Sequence, residues 1–294
     1  MPLLAVLTPL ALHAAAAVYG FGWVAPLPPS APPVEAPAPP PASAPSVPVS
    51  LPAPTPPPAG ARPLRPIGLV AIHEPVVAIT FDACATRSYA YGFDRKVFDL
   101  LTRERIPATI FVSGRWVERH PEVMAELAAD PLIEFGDHSY DHPHMAHLPD
   151  ARIVEQIDQT EVALAKYGKR SVAFRPPFGE WSHHLVTVVQ DLHLPTVTWD
   201  VVSGDPSAHT TVDRMVHNVV DKARAGSIII FHINGRGLKT ADALPVITRE
   251  LRARGFHFVL LSELMAAGRA APAPIPVSPA STLAPAAISE PGPQ

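Results

Sequence analysis

The chain has 294 residues, 38 of them proline and one cysteine, with a formal charge of −4. No basic run accompanies that charge, which argues against a nucleic-acid partner, and a single thiol excludes an internal disulfide. The prolines are uneven, 18 between Pro26 and Pro66 and seven between Pro272 and Pro293, so both ends read as polyproline-biased segments and roughly Ile67 to Ala267 remains as one folded domain.

In chain order, residues 1–25 come first. From Leu3 to Val24 they are apolar and uncharged apart from His13, with small residues at Ala14 to Ala17 that suit a cleavage site. The segment reads as a signal peptide or a signal anchor, although no Lys or Arg precedes Arg62 to supply the usual positive start. Residues 26–66 read as a disordered Pro/Ala-rich linker, and an extended chain of that length at ~3.1 Å per residue reaches about 120 Å. An exported domain is expected: periplasmic, associated with the cell envelope or secreted, with a possible N-terminal membrane tether. Residues 268–294 read as a disordered Pro/Ala-rich tail.

Between 67 and 267, short β-branched runs alternate with longer amphipathic ones, the pattern of βα units around a parallel sheet. Strands are predicted at Val76–Phe81, Ala108–Val112, Ile133–Phe135, Val172–Phe174, Thr196–Trp199, Ser227–Phe231 and His257–Leu260. Helices with clear apolar faces are predicted at Asp94–Thr102, Asp150–Tyr167, Thr211–Ala223 and Thr240–Arg254. Asp94 reads as an N-cap and Gly255 as a C-terminal stop. Seven strands with intervening helices predict an α/β barrel, with an open doubly wound sheet as the alternative.

Nearly every predicted strand ends on a polar or titratable residue: Asp82, Ser113, Asp137 and His138, Arg175, Asp200 and Asp205, then His232. In (β/α) barrels the carboxyl face carries the active site, so this repetition predicts one there.

His138-Ser-Tyr-Asp-His142 sets two imidazoles four residues apart, a spacing that can hold a divalent metal such as zinc, with His144 and His147 nearby; solvated loop histidines are the bland alternative. Arg175-Pro-Pro-Phe-Gly179 can aim a backbone N–H into a site while Arg175 pairs with a carboxylate, or it is a rigid surface loop. His232, after a wholly apolar strand, is either a hydrogen-bonded core residue or a general acid whose other nitrogen Asp205 holds. Trp181 and Trp199 read as core residues or as sugar-stacking platforms.

These residues, in this order, resemble the polysaccharide deacetylase family, also called carbohydrate esterase family 4 or the NodB-homology domain, over about residues 76 to 265. Thr80-Phe81-Asp82-Ala83 stands where the family has Thr-Phe-Asp-Asp, and His138 to His142 is an intact His-Ser/Thr-x-x-His. Arg175 to Gly179 matches Arg-x-Pro-Tyr/Phe-Gly. Asp205 after Trp199 fits the fourth motif, though Pro206 replaces its usual Trp, and Phe231-His232 stands for Leu-His.

The resemblance implies a distorted (β/α)7 to (β/α)8 barrel that removes N-acetyl groups from a β-linked N-acetylhexosamine polymer or peptidoglycan. It implies a divalent metal on His138 and His142, zinc in the first place with cobalt or nickel as alternatives. Asp82 is then the catalytic base held by Arg175, the Phe178 N–H shares the oxyanion with the metal, and His232, oriented by Asp205, protonates the departing amine. Trp199 is a candidate for the substrate side.

Ala83 departs from that pattern, because the family's second aspartate completes the metal triad and alanine cannot ligate. Cys84 as thiolate, Asp82 as ligand or an extra water are the possible replacements, with simple packing as the other role for Cys84. The departure keeps two alternatives open: a catalytically impaired glycan-binding module, and a related C–N hydrolase with weak metal dependence.

Overall fold

The structure is a computed structural model and describes residues 64–86 and 91–270. The expected signal segment, most of the linker and most of the tail lie outside the described residues.

β1 (Val76–Ala83) is the centre of the sheet. It pairs in parallel with β2 (Ala108–Val112) on one side and β6 (Ile228–His232) on the other. The sheet order is β4-β3-β2-β1-β6-β5, with β3 at Ile133–Asp137, β4 at Ser171–Phe174 and β5 at Val201–Val202. The seventh strand, β7 (His257–Phe258), takes the β2 side of β1 at Val76 and Val77 before β2 joins at Ile79. Every pair is parallel, so all the strands end at one face.

β1 reads as an almost unbroken apolar run because both of its faces are buried. Val77, Ile79, Phe81 and Ala83 belong to the large cluster beneath the helices, with Ile110 and Val112 of β2 and Ile229 and Phe231 of β6. Ala78 joins the inner cluster with Phe111, Ala173, Val197 and Ile228. Strand alternation therefore sends Thr80 and Asp82 to the interior and their odd-numbered neighbours to the helix layer.

The sheet edges meet through residues 195–202. Val197 N–H donates to Phe174 O of β4 (2.8 Å), and Val201 and Val202 pair with Ile229 and Ile230 of β6. One irregular segment thus closes the distorted barrel. The strand predicted at Thr196–Trp199 is correspondingly broken: Thr196 and Val197 form isolated bridges, with Phe174 and Ile67, and the regular ladder begins at Val201.

Helices α1 (Arg95–Glu104), α4 (Asp150–Ala165), α6 (Val212–Val220) and α7 (Thr240–Ala253) occupy the predicted regions. Asp94 caps α1, its Oδ1 accepting from the N–H of Lys96 and Val97. The structure adds α2 (Gly114–Arg119), α3 (Pro121–Ala129), α5 (His183–Asp191) and α8 (Leu261–Ala270). The last runs three residues past the expected domain end at Ala267, because Leu261, Leu264 and Met265 seal the inner cluster. Among the described residues no helix is long and apolar enough to cross a membrane.

Candidate active site

Asp82, near the end of β1, is buried and faces Arg175, which follows β4 and has no exposed surface. Arg175 donates to Asp82 Oδ1 (2.8 Å), to Thr80 Oγ1 (2.9 Å) and to Thr198 O (3.3 Å). Its guanidinium carbon lies 3.9 Å from the Phe111 ring centroid, a cation–π seat that partly replaces lost water. That seat exists because residue 136 is glycine: a Cβ there would come within 2.3 Å of the Phe111 ring. Burial works against the Asp82 charge, but His138, Arg175 and His232 together outweigh it and hold the carboxyl below its ordinary range.

His138 and His142 lie on a loop after β3, where Ser139 (φ 62°) and His142 (φ 60°) are both left-handed. Asp137 Oδ1 accepts the Ser139 N–H (2.7 Å) and Ser139 Oγ accepts the His142 N–H (3.1 Å), which fixes the turn. Burial pushes the Asp137 carboxyl well above the usual range. The two imidazoles meet edge to face, 4.9 Å between centroids. His138 Nδ1 contacts Arg175 O (2.8 Å), leaving Nε2 towards Asp82 Oδ2 at 3.5 Å. Burial lowers the pKa of both histidines, most strongly at His142, where the charge of His138 adds to it.

A metal needs neutral imidazoles with an unspent nitrogen, each oriented from behind. The carbonyl behind His138 is such an orienter, and His142 Nδ1 is buried with no hydrogen-bond partner. These two residues therefore fit a divalent ion. A third side-chain ligand is another matter: among the described residues no group of three or more His, Cys, Asp and Glu is arranged to hold a metal.

The reason lies in residues 83 and 84. Ala83 is fully buried on the helix-facing side with Phe81 and Val112, opposite in alternation to Asp82. Cys84 is buried as well, and Asn234 Nδ2 donates to its Sγ (3.3 Å) and its carbonyl (3.0 Å). Burial pushes the thiol up to about 12, so at neutral pH it is a protonated packing group.

Across from Asp82, in direct register on β6, stands His232. Asp205 holds it twice, Oδ1 at 2.9 Å from Nδ1 and Oδ2 at 2.6 Å from the backbone N–H. Thr240, at the start of α7, donates its hydroxyl to Oδ2 (2.9 Å). Gly237 lets these groups converge, since a Cβ there would lie 2.3 Å from Thr240 Oγ1 and 2.8 Å from Asp205 Oδ2. Burial alone would lower the His232 pKa, but Asp205, with a smaller part from Asp82, raises it above the ordinary value. Asp200, the other acid after the broken strand, binds Ser227 Oγ and the Ile228 N–H instead.

Phe178 takes φ 61° in a 3-10 turn at Pro177–Gly179. Its partly exposed ring packs edge-on against His142 (4.5 Å) and stacks on His144 (4.3 Å). His144 is thereby occupied, with its Nδ1 2.8 Å from Glu180 Oε2, and His147 is exposed. Trp199 is half-buried under this turn, 5.5 Å from the Arg175 guanidinium, and a Cβ on Gly179 would approach its ring to 2.8 Å. Trp181 is half-buried and contacts His183.

The structure thus gathers Asp82, Arg175, His138 and His142 into one contact network, with Asp205 and His232 beside it. Thr80, Asn234 and Thr240 were not expected there. Thr80 had a sequence signal, since it shares the Asp82 face of β1; Thr240 resembled only a helix start, and Asn234 lay in a loop with no period.

A family model described as polysaccharide deacetylase matches residues 70–197. A peptidoglycan-N-acetylglucosamine deacetylase of Bacillus cereus is 30% identical over 209 residues, which are 69% of this chain and 95% of that protein. Among solved structures, a mutant of a CE4 family pseudoenzyme of Bacillus anthracis, described as having restored enzymatic activity, superposes with a TM-score of 0.62 at 25% identity, covering 70% of this chain and 73% of that one. A family 4 acetyl xylan esterase of Clostridium thermocellum in complex with a cobalt ion gives 0.58 at 29% identity, covering 65% and 90%.

Proposed function

The chain belongs to the polysaccharide deacetylase family, and on that premise we propose a hydrolase that removes N-acetyl groups from an N-acetylhexosamine-containing polysaccharide: a chitin-like oligomer, an exopolysaccharide or peptidoglycan. The observation that carries this reading is the pairing of Asp82 and His232 in register on adjacent strands, with their proton affinities driven apart. Amide hydrolysis needs a base for the attacking water and an acid for the departing amine at the same pH.

His138 and His142 would hold a divalent ion, zinc, cobalt or nickel, which when bound polarises the acetyl carbonyl and acidifies a water. Asp82, charged and clamped by Arg175, accepts the proton of the attacking water. Arg175 also stops Asp82 from rotating, because its other donors are committed to Thr80 and Thr198. The Phe178 N–H, on a turn stiffened by Pro176 and Pro177, is the backbone donor assigned to the oxyanion. His232 delivers its proton to the amine nitrogen as the C–N bond breaks, and Asp205 stabilises its charged form beforehand. Trp199 supports the turn that carries Phe178.

Cys84 is assigned to packing, since its thiol is protonated and engaged by Asn234. The missing carboxylate at 83 then leaves a two-histidine site with water completing the shell, and a correspondingly weaker affinity. The domain assignment, residues 67–267 as the catalytic head behind an export segment and linker, belongs to the same proposal.

Ala83 also favours a second reading, a glycan-binding module with an impaired site. Acetate release from N-acetylglucosamine oligomers and from peptidoglycan, in chelator and with added zinc, cobalt or nickel, separates the two. Metal-dependent acetate release is expected. Retained glycan binding with no acetate under any metal would establish the binding module.

A further inference from the structure

A cavity of about 360 Å³ opens beside His232, lined by Tyr91, Pro206, Asn234, Arg236 and Leu238 among others. That volume lies in the range of small-ligand sites. We propose that it is a sugar subsite that takes a carboxylate-bearing residue of the glycan, with Arg236 as the carboxylate's partner; this rests on the deacetylase reading.

The walls suit a sugar ring. Tyr91 presents an aromatic ring and Leu238, 54% exposed, an apolar edge. The Arg236 guanidinium carbon lies 5.7 Å from the Tyr91 ring centroid, which orients the cation along the wall. Its charge is felt at His142, Cys84 and His232, which puts it within electrostatic reach of the reacting groups. A planar guanidinium at such a rim is the usual protein partner of a carboxylate.

The pocket is built rather than incidental. Asn234, fully buried, accepts the Arg236 N–H at Oδ1 (3.3 Å) while its amide holds Cys84. Its carbonyl accepts the Gly92 N–H (3.0 Å), and Trp116 Nε1 donates to Gly92 O (3.0 Å). The Leu238 N–H donates to Asp205 O (3.2 Å), tying the wall to the residue that orients His232. One asparagine therefore links the end of β1, the Arg236 loop and the Tyr91 wall. The rim after β4, by contrast, carries a carboxylate, Glu180. A carboxylate-bearing glycan would then dock in one orientation only.

The carboxylate could be the lactyl group of a muramic acid or the C6 group of an N-acetylhexosaminuronate. The test compares kcat/KM on oligomers of each kind with kcat/KM on the same oligomers amidated at the carboxyl, which keeps the shape and removes the charge. The wild type is expected to favour the acid over its amide by about tenfold or more for at least one kind, the size of a charge-assisted hydrogen bond. Which kind is favoured identifies the source. Arg236→Gln should bring the ratio to near one, and Arg236→Lys should retain part of it. A wild-type ratio near one for both kinds, or a ratio that survives Arg236→Gln, overturns the proposal. If no oligomer is deacetylated, calorimetric binding of the same acid and amide pairs reads the pocket separately. A preference for the acid that is lost in Arg236→Gln upholds the subsite while the deacetylase reading falls; equal binding overturns the subsite as well.

Discussion

Asp82 and Arg175 form a buried ion pair whose members cannot be separated cheaply, since removing one leaves the other uncompensated at a cost of about 3–5 kcal/mol. Asp82→Asn keeps an acceptor for Arg175 but loses the base, so kcat is expected to fall at least about a hundredfold, with a smaller loss of thermal stability than in Asp82→Ala; near-normal turnover in the Asn variant would remove Asp82 from the role of base. The pH profile follows from the two shifted groups. Activity needs Asp82 ionised and His232 protonated, so the acid limb should lie below the ordinary 3.8 of an Asp and the alkaline limb above the ordinary 6.5 of a His. Asp205→Asn removes the charge that raises His232 and leaves burial unopposed, which should move the alkaline limb to lower pH; an unmoved limb would mean that another group supplies the proton. Stability in chelator has its own sign. Asp82, His138 and His142 are all held below their ordinary values, so their contribution is complete above about pH 6.5 and is lost as pH falls through the folded values, whereas that of His232 is lost as pH rises. Tm measured in chelator is therefore expected to drop on acidification below pH 6.5, and a flat Tm down to pH 5 would contradict the burial of neutral histidines.

At the scale of elements, the site depends on strand alternation and on two glycines that make room. Gly136 on β3 lets Phe111 of β2 lie under the Arg175 guanidinium, so Gly136→Ala should cost about 1–3 kcal/mol by overpacking and lower kcat with it. Retained Tm together with unchanged kcat would show that this seat is not needed. Ala83 is the sharper case. On β1 it shares the helix-facing side with Phe81, so the carboxylate of Ala83→Asp enters an apolar layer and should lower Tm in chelator by burying an unpaired charge. A Tm at or above that of wild type would show instead that the strand end turns and delivers the new carboxylate to His138 and His142. β1 and its neighbours were legible because fully buried strands are apolar, short and bounded by turns. The closing segment at 195–202 was not, because its hydrogen bonds are divided between Phe174, Ile67 and β6 and no single period describes it. α8 was missed because Leu261, Leu264 and Met265 in a ten-residue run resemble a loop until they are seen to seal the inner cluster.

For the whole molecule, a ligand that binds only the folded state raises Tm by mass action. Added zinc is expected to raise Tm, and His138→Ala or His142→Ala should abolish the shift; a zinc-dependent shift that survives both substitutions would place the metal elsewhere. The parallel ring of strands and the function of its carboxyl face were determined by the sequence itself, since apolar runs, their spacing and the polar residue ending each of them are local properties of the chain. So were the five motifs by which the family is recognised. Only the tertiary structure decided which of those polar residues meet. It selected Asp205 over Asp200 for His232, turned Ala83 towards the helices, and gave Cys84 to Asn234 rather than to the histidines. These outcomes depend on strand register, on which side of a strand a side chain leaves, and on contacts between residues as much as 150 positions apart, none of which is encoded in any local stretch of sequence.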